Sequence, residues 1–316
     1  MYNLPNQLFT NVFPTTWYGR IAQFPITRIF IAIIFLMPVS LLSQIFGVEL
    51  FRSMEEPLFS IMRFARDIFF LILFILLYGL YTRYVERREP LELSFPKFFK
   101  ELGLGVSIPF AAVGFMVALM MVLGYYEITG FGDFINLSDS FRKQMMVGFS
   151  EELIFRLILF KLVEEFAGSW WGLIVQGLIF GFAHLGNPNA SVWTSIGLVA
   201  DSTLLLGGAY MLTRRIWLVM GLHWSWNFFQ AGVFGMPNSG FVQPSWIQAS
   251  IEGPEWFTGG AWGIEASYIS IAINLIIGLY FVKLVIDNGL LVMPSWKRGK
   301  NETVLSGSDT LKIEEG

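Results

Sequence analysis

Long apolar runs broken by short polar stretches dominate the chain, and their lengths predict helices that cross a membrane. About 20 mostly apolar residues span a hydrocarbon core. Runs of that order fall at 28–48, 65–85, 103–125, 144–163, 170–186, 192–213, 216–234 and 266–288. The pattern therefore predicts an all-α fold, a polytopic transmembrane helical bundle of about eight spans. Asn187, Pro188 and Asn189 separate the fifth run from the sixth. Residues 1–27 form an N-terminal cytoplasmic segment, 28–288 the transmembrane domain with a motif core at 148–230, and 289–316 a polar tail. From Ser295 that tail reads as solvated and unstructured. Between the last two runs, 235–265 carries three prolines and six glycines interleaved with Phe241, Trp246, Trp256, Phe257 and Trp262. Such a mixture suits a structured cap at the membrane interface or an ordinary loop with interfacial anchors, since amphipathic rings settle there.

Composition narrows the picture further. The 316 residues are 54% hydrophobic and only 14% charged, against about a quarter charged in soluble domains. The absence of Cys excludes disulfides, Cys-ligated zinc and a thiol nucleophile. A net charge of −3 gives no reason to expect nucleic-acid binding. Pro5, Pro14 and Pro25, with Arg20 the single basic residue before Ile26, argue against a cleavable signal peptide, so the first run reads as a retained span. With eight spans, Arg20, Arg28, Arg83, Arg87, Arg88, Lys97, Lys100, Lys161, Arg214, Arg215 and the basic tail share one side. Arg52, Arg63, Arg66, Arg142 and Lys143 share the other. The balance predicts cytoplasmic termini.

Charge within a span is costly and marks candidate chemistry. The fourth run reads Gly148-Phe-Ser-Glu151-Glu152-Leu-Ile-Phe-Arg156. At about 100° per residue, Glu152 and Arg156 sit one turn apart on one face, while Glu151 points about 140° from Arg156. Glu152 and Arg156 then form a supporting ion pair, and Glu151 is the freer carboxylate. The chain's two histidines both fall in apolar runs, as Phe180-x-x-x-His184 and His223-x-x-x-Asn227. Each lies among small residues (Gly177, Gly181, Ala183; Gly221, Ser225) that permit close helix approach. One free Glu, two His and one Asn could converge on a water molecule, as general bases and oxyanion donors. Glu151, His184 and His223 are equally a plausible zinc ligand set, and the residues leave direct and metal-activated chemistry both open.

The three signatures, taken in order, resemble those of the CPBP (CAAX protease and bacteriocin-processing, or Abi) family of intramembrane endopeptidases, which includes the type II CAAX prenyl endopeptidase. The resemblance covers 148–230 directly. The stretch Gly253-Pro-Glu-Trp-Phe-Thr-Gly-Gly-Ala-Trp-Gly263 also looks like a segment of bacterial members. The resemblance implies that Glu151 and His184 activate water, that His223 and Asn227 stabilise the oxyanion, that Glu152 and Arg156 support them, and that Phe180 packs alongside. It implies a glutamate-dependent hydrolase needing no cofactor, with a zinc metalloprotease as the other form. The partners are membrane lipid and a membrane-associated, in some members prenylated, peptide or protein. The expected location is a cell membrane, a bacterial plasma membrane in first preference. A non-catalytic immunity or scaffold protein of the same family is the alternative. A proton-coupled transporter using Glu151, His184 and His223 as a relay is another, although no inverted repeat supports it.

Overall fold

The computed structural model describes residues 8–10, 14–45 and 58–298. Their elements run α1 (Trp17–Gln23), α2 (Pro25–Ile45), α3 (Leu58–Tyr84), α4 (Phe98–Val122), β1 (Tyr126–Phe131), α5 (Phe134–Glu152), α6 (Lys161–Ala167), α7 (Ser169–Ala183), α8 (Val192–Ala200), α9 (Gly207–Thr213), α10 (Ile216–Asn227), β2 (Ile247–Ile251), α11 (Glu255–Thr258) and α12 (Tyr268–Asp287). The chain is mostly helical, as the apolar runs predict.

The count of about eight spans is not confirmed. Four helices among the described residues are long and apolar enough to cross a membrane: Pro25–Ser43, Phe98–Val122, Val192–Thr213 and Tyr268–Asp287. Of the other runs, that of α3 lies in a 27-residue helix with Arg63, Arg66 and Asp67 in its first half, α7 has only 15 residues, and α5 begins well before the apolar stretch with Asp139, Arg142 and Lys143. The Val192–Thr213 rod is mostly buried, whereas the other three long helices present side chains such as Phe30, Phe110, Phe115, Ile276 and Leu279 outward. An exterior of that kind suits lipid, and the chain is a membrane protein.

Three of the rods are interrupted by π-helical turns. Leu153–Phe160 joins α5 to α6, Asp201–Leu206 joins α8 to α9, and Phe228–Val233 extends α10. Such turns hold one extra residue and concentrate at functional sites. Here they begin directly after Glu152, at Asp201 and directly after Asn227.

The rods meet through small residues. A Cβ on Gly105 of α4 would lie 2.8 Å from Gly221 Cα of α10, and one on Gly181 would lie 2.6 Å from the Ser195 carbonyl. Backbones can come this close only where no side chain intervenes. Ser225 Oγ donates to the Gly105 carbonyl at 3.0 Å, so α10 is gripped beside His223 and Asn227. The main core joins Leu36, Phe74, Tyr78, Phe149, Leu157, Tyr210 and Leu218 from five of these rods.

Residues 235–265 form a packed cap, and they bring in a departure from the all-α reading. Strands β1 and β2 pair antiparallel, with an irregularity between Ile128 and Gly130. A second core under this sheet gathers Val113, Met116, Met120, Tyr126, Met236, Phe257 and Ile264. Tyr126 donates its hydroxyl to the Phe234 carbonyl at 2.8 Å, tying the sheet to the end of α10. The expected tail also starts as packed chain: Ser295 N–H donates to the Phe166 carbonyl at 2.9 Å, and Trp296 meets the Phe166 ring edge-on. The rest of that tail, from 299 onward, lies outside the described residues, as does Arg52.

Several basic residues expected on a free cytoplasmic face are instead buried in ion pairs. Arg28 pairs with Glu165 and lies 3.9 Å from Glu86, Arg88 pairs with Glu86 and Glu92, and Lys161 contacts the same two acids. Arg214 pairs with Glu164 and Arg215 with Glu101. Burial works against ionised Glu86, but Lys161, Arg88 and Arg28 outweigh it and hold the carboxyl down to about 2. On the other side Arg142 pairs with Asp67 and Asp139. These charges are neutralised in place, which removes much of their weight from a loop-charge count.

Candidate active site

Glu151, His184, His223 and Asn227 line one cavity of about 590 Å³. Their elements differ: Glu151 ends α5, His184 opens the 3₁₀ turn after α7, and His223 and Asn227 share α10. The cavity forms where these rods meet the Val192–Thr213 rod, α12 and the cap.

Behind it, Glu152 is fully buried and does two things. Its Oε1 accepts from Arg156 Nη1 at 2.8 Å, the expected i, i+4 pair. The same oxygen accepts from His223 Nδ1 at 2.7 Å. A carboxylate held by a guanidinium can only accept, so Nδ1 carries the proton and Nε2 is left as the ring's other functional nitrogen. That Nε2 faces Glu151 Oε2 at 3.8 Å, an oxygen with no hydrogen-bond partner. Glu151 is therefore the carboxylate left free, and the imidazole nearest to it is His223.

His184 is fixed by local geometry. Its Nδ1 lies 2.7 Å from the Phe180 carbonyl. A carbonyl only accepts, so Nδ1–H donates and Nε2 is the free nitrogen in the neutral ring. Phe180 packs beside both imidazoles and the guanidinium: its ring lies 4.7 Å from the His184 ring, 6.0 Å from the His223 ring, and 4.9 Å from the Arg156 guanidinium. The contact with Arg156 is a cation–π arrangement. Asn227 Oδ1 accepts from Asn238 Nδ2 of the cap at 3.0 Å, which leaves the Asn227 Nδ2 donors free for another acceptor.

Several participants escaped the sequence reading. Arg156 Nη2 donates to Ser202 Oγ at 2.6 Å, Ser202 Oγ donates to Gln176 Oε1 at 3.1 Å, and Gln176 Nε2 returns to the Ser202 carbonyl at 2.9 Å. This closed ring anchors the guanidinium from α7 and from the π-helical turn after α8. Gln176 and Asp201 are polar residues inside apolar runs, so the rule that singled out Glu151 could have found them. Asn238 and Glu265 carry no such mark, because they lie in the cap. Glu265 is buried with its oxygens taken by Ser239 N–H and Gln230 Nε2. Burial outweighs those two hydrogen bonds and pushes the carboxyl up to about 7.

A tetrahedral zinc with ligands 2.0–2.1 Å away would set two donor atoms about 3.3 Å apart. The 3.8 Å between Glu151 and His223 is wider. Among the described residues no group of three or more His, Asp and Glu is arranged to hold a metal ion. The side chains as placed do not fit a three-ligand zinc site.

Residues 136–229 match the family described as type II CAAX prenyl endopeptidase Rce1-like. That segment is similar to the Rce1-like domain. No curated protein and no solved structure matches it. The Rce1-like segment contains Glu151, Glu152, Arg156, Phe180, His184, His223 and Asn227 together, and it ends before the cap and α12. At family level it supports a CAAX-type intramembrane protease.

Proposed function

We propose that this protein is an intramembrane endopeptidase that hydrolyses a peptide bond of a membrane-associated substrate with water activated by Glu151. One observation carries the reading beyond the family match: Glu151 has an unpartnered oxygen in the cavity, facing an imidazole whose far nitrogen is locked to the Glu152–Arg156 pair. A positioned base beside an oriented ring is the arrangement hydrolysis needs.

In the proposed reaction a water between Glu151 and His184 gives a proton to Glu151 as its oxygen attacks the scissile carbonyl. The carbonyl electron pair moves to oxygen. The oxyanion then accepts from Asn227 Nδ2 and from His223, which in its protonated form donates at Nε2 while Nδ1–H stays on Glu152. Glu152 supports that cationic ring and Arg156 holds Glu152 in place. Collapse breaks the C–N bond, and the proton on Glu151 passes to the leaving nitrogen. No step uses a metal ion. We place the protein in a bacterial plasma membrane with cytoplasmic termini, and the matched family's name makes a prenylated C-terminal peptide the first substrate to try.

The test uses the full chain in lipid nanodiscs with farnesylated and unmodified peptides. Wild type should cleave at least one of them, Glu151→Gln, His184→Ala and His223→Ala should not, and a chelator should change nothing. Activity lost to chelator and regained with zinc would overturn the metal-free step. Wild type that cleaves no better than the three variants would overturn the protease reading in favour of a non-catalytic scaffold.

A further inference from the structure

The cavity has a second polar end, away from the Glu151–His223 group. Asp201 lies within the Val192–Thr213 rod and lines the cavity, only 7% exposed. Its Oδ2 accepts from Asn274 Nδ2 of α12 at 3.1 Å, while Asp201 Oδ1 and Asn274 Oδ1 have no partner. Asn274 is 3% exposed and lines the same cavity. Two buried acceptor oxygens on a hydrogen-bonded pair of side chains are costly without a donor. An acid within a span is costlier still.

The surroundings decide the sign of that donor. Glu265 contributes another buried carboxyl to the lining. Lys143 is the one Lys or Arg among the lining residues, and it sits exposed at the rim, turned to Gln243 Oε1 at 3.3 Å. An anion would meet carboxyl oxygens and no buried cation. A positively charged, donor-rich group would meet two free acceptors.

We propose that this end of the cavity binds an organic cation of the peptide substrate, a guanidinium or ammonium group, between Asp201 Oδ1 and Asn274 Oδ1. Its role as a substrate subsite rests on the protease reading, because it shares the cavity with Glu151. Selectivity follows from the geometry: a peptide with a basic side chain or amino terminus at the matching distance from the scissile bond is held, and one with an acid there is repelled. A planar guanidinium offers five N–H donors in a fixed fork, whereas an ammonium is a point charge with three. Asn274 and Glu265 lie outside the Rce1-like segment, so this end depends on parts of the chain that the family match does not cover.

Binding can be measured without turnover. The full chain in nanodiscs is titrated with pentylguanidinium, pentylammonium and the neutral pentylurea while its thermal midpoint is followed. Either cation should raise the midpoint of wild type and pentylurea should not; the stronger cation identifies an arginine-like or a lysine-like group as the natural occupant. Asp201→Asn should weaken the cation response by about tenfold, Asn274→Leu should weaken it less, and Glu151→Gln should leave it intact. Equal shifts with pentylurea, an unchanged response in Asp201→Asn, or loss of the response in Glu151→Gln would each overturn the proposal. Should Asp201→Asn not fold, Asn274→Leu carries the same test. Peptide cleavage by wild type and Glu151→Gln is scored separately, so the protease reading can fail while this site stands, and the reverse.

Discussion

One continuous rod, from α5 through its π-helical turn to α6, carries two buried charge groups that differ in kind. Toward its end, Lys161 and Glu165 belong to a set in which three cations (Arg28, Arg88, Lys161) meet three carboxylates (Glu86, Glu92, Glu165). Two turns earlier, two adjacent carboxylates, Glu151 and Glu152, stand near a single guanidinium, that of Arg156, which pairs with Glu152. The first set balances and lines no part of the cavity that holds Glu151. In the second, one acid is surplus, and that acid faces open space. Burial of charge alone therefore says little about function in this molecule. The surplus does, because an acid without a cation is available to take a proton.

The largest expected effects would separate the two groups outright. Glu151→Gln should cut cleavage by about 10³-fold, the range of a lost general base, while the thermal midpoint stays near wild type. Lys161→Met should do the opposite, leaving Glu86 and Glu92 short of a buried cation at a cost of about 3–5 kcal/mol, read as a lower unfolding midpoint with the turnover of folded molecules unchanged. If the two substitutions gave the same profile, the contrast would collapse.

Arg156→Met should fall between them. It unbalances Glu152 and frees His223, so both the midpoint and the rate should drop, the rate by about 10² for a misplaced ring. Titration gives a subtler comparison. The Glu86 carboxyl, held down to about 2 against an ordinary 4.5, adds stability that is present above pH 4.5 and lost as pH falls through 2. Glu265, pushed up to about 7, behaves in reverse: its contribution is complete below pH 4.5 and lost as pH rises through 7. Glu86→Gln should flatten the acid limb of a midpoint-against-pH curve, and Glu265→Gln the neutral limb. The smallest effect should come from Asn238→Ala, which releases Asn227 from the cap and should slow cleavage severalfold without moving the midpoint, measured on the same peptide.

How much of this was legible in the sequence depends on distance along the chain. The Glu152–Arg156 pair and the four long apolar helices are local properties, fixed by periodicity and run length, and they were readable. The second partner of Glu152 was not, since His223 reaches it from a rod that only tertiary packing brings alongside. Nor was the anchoring of Arg156 by Ser202 and Gln176, which needs three rods at once. Strand β2, Ile247-Gln-Ala-Ser-Ile251, alternates apolar and polar residues, a period-two signal that the surrounding Pro, Gly and Trp obscured. The charge count that oriented the chain missed its buried pairings for a related reason: a basic residue's weight in such a count depends on whether a carboxylate already holds it.

The π-helical turns carry a consequence for how the protein tolerates change in length. Each holds one residue more than an α-helix would need, and each begins at or next to a polar residue of the site: Glu152, Asp201 or Asn227. Winding such a turn back to an ordinary α-helix with that residue retained would rotate everything beyond it by about 100°. Lipid-facing positions such as Phe110 or Ile276 can change identity with little consequence. A one-residue deletion in the regular helix beside any of the three turns would instead swing one wall of the cavity out of register, so spacing along these rods constrains the protein more tightly than side-chain chemistry on their outer surfaces.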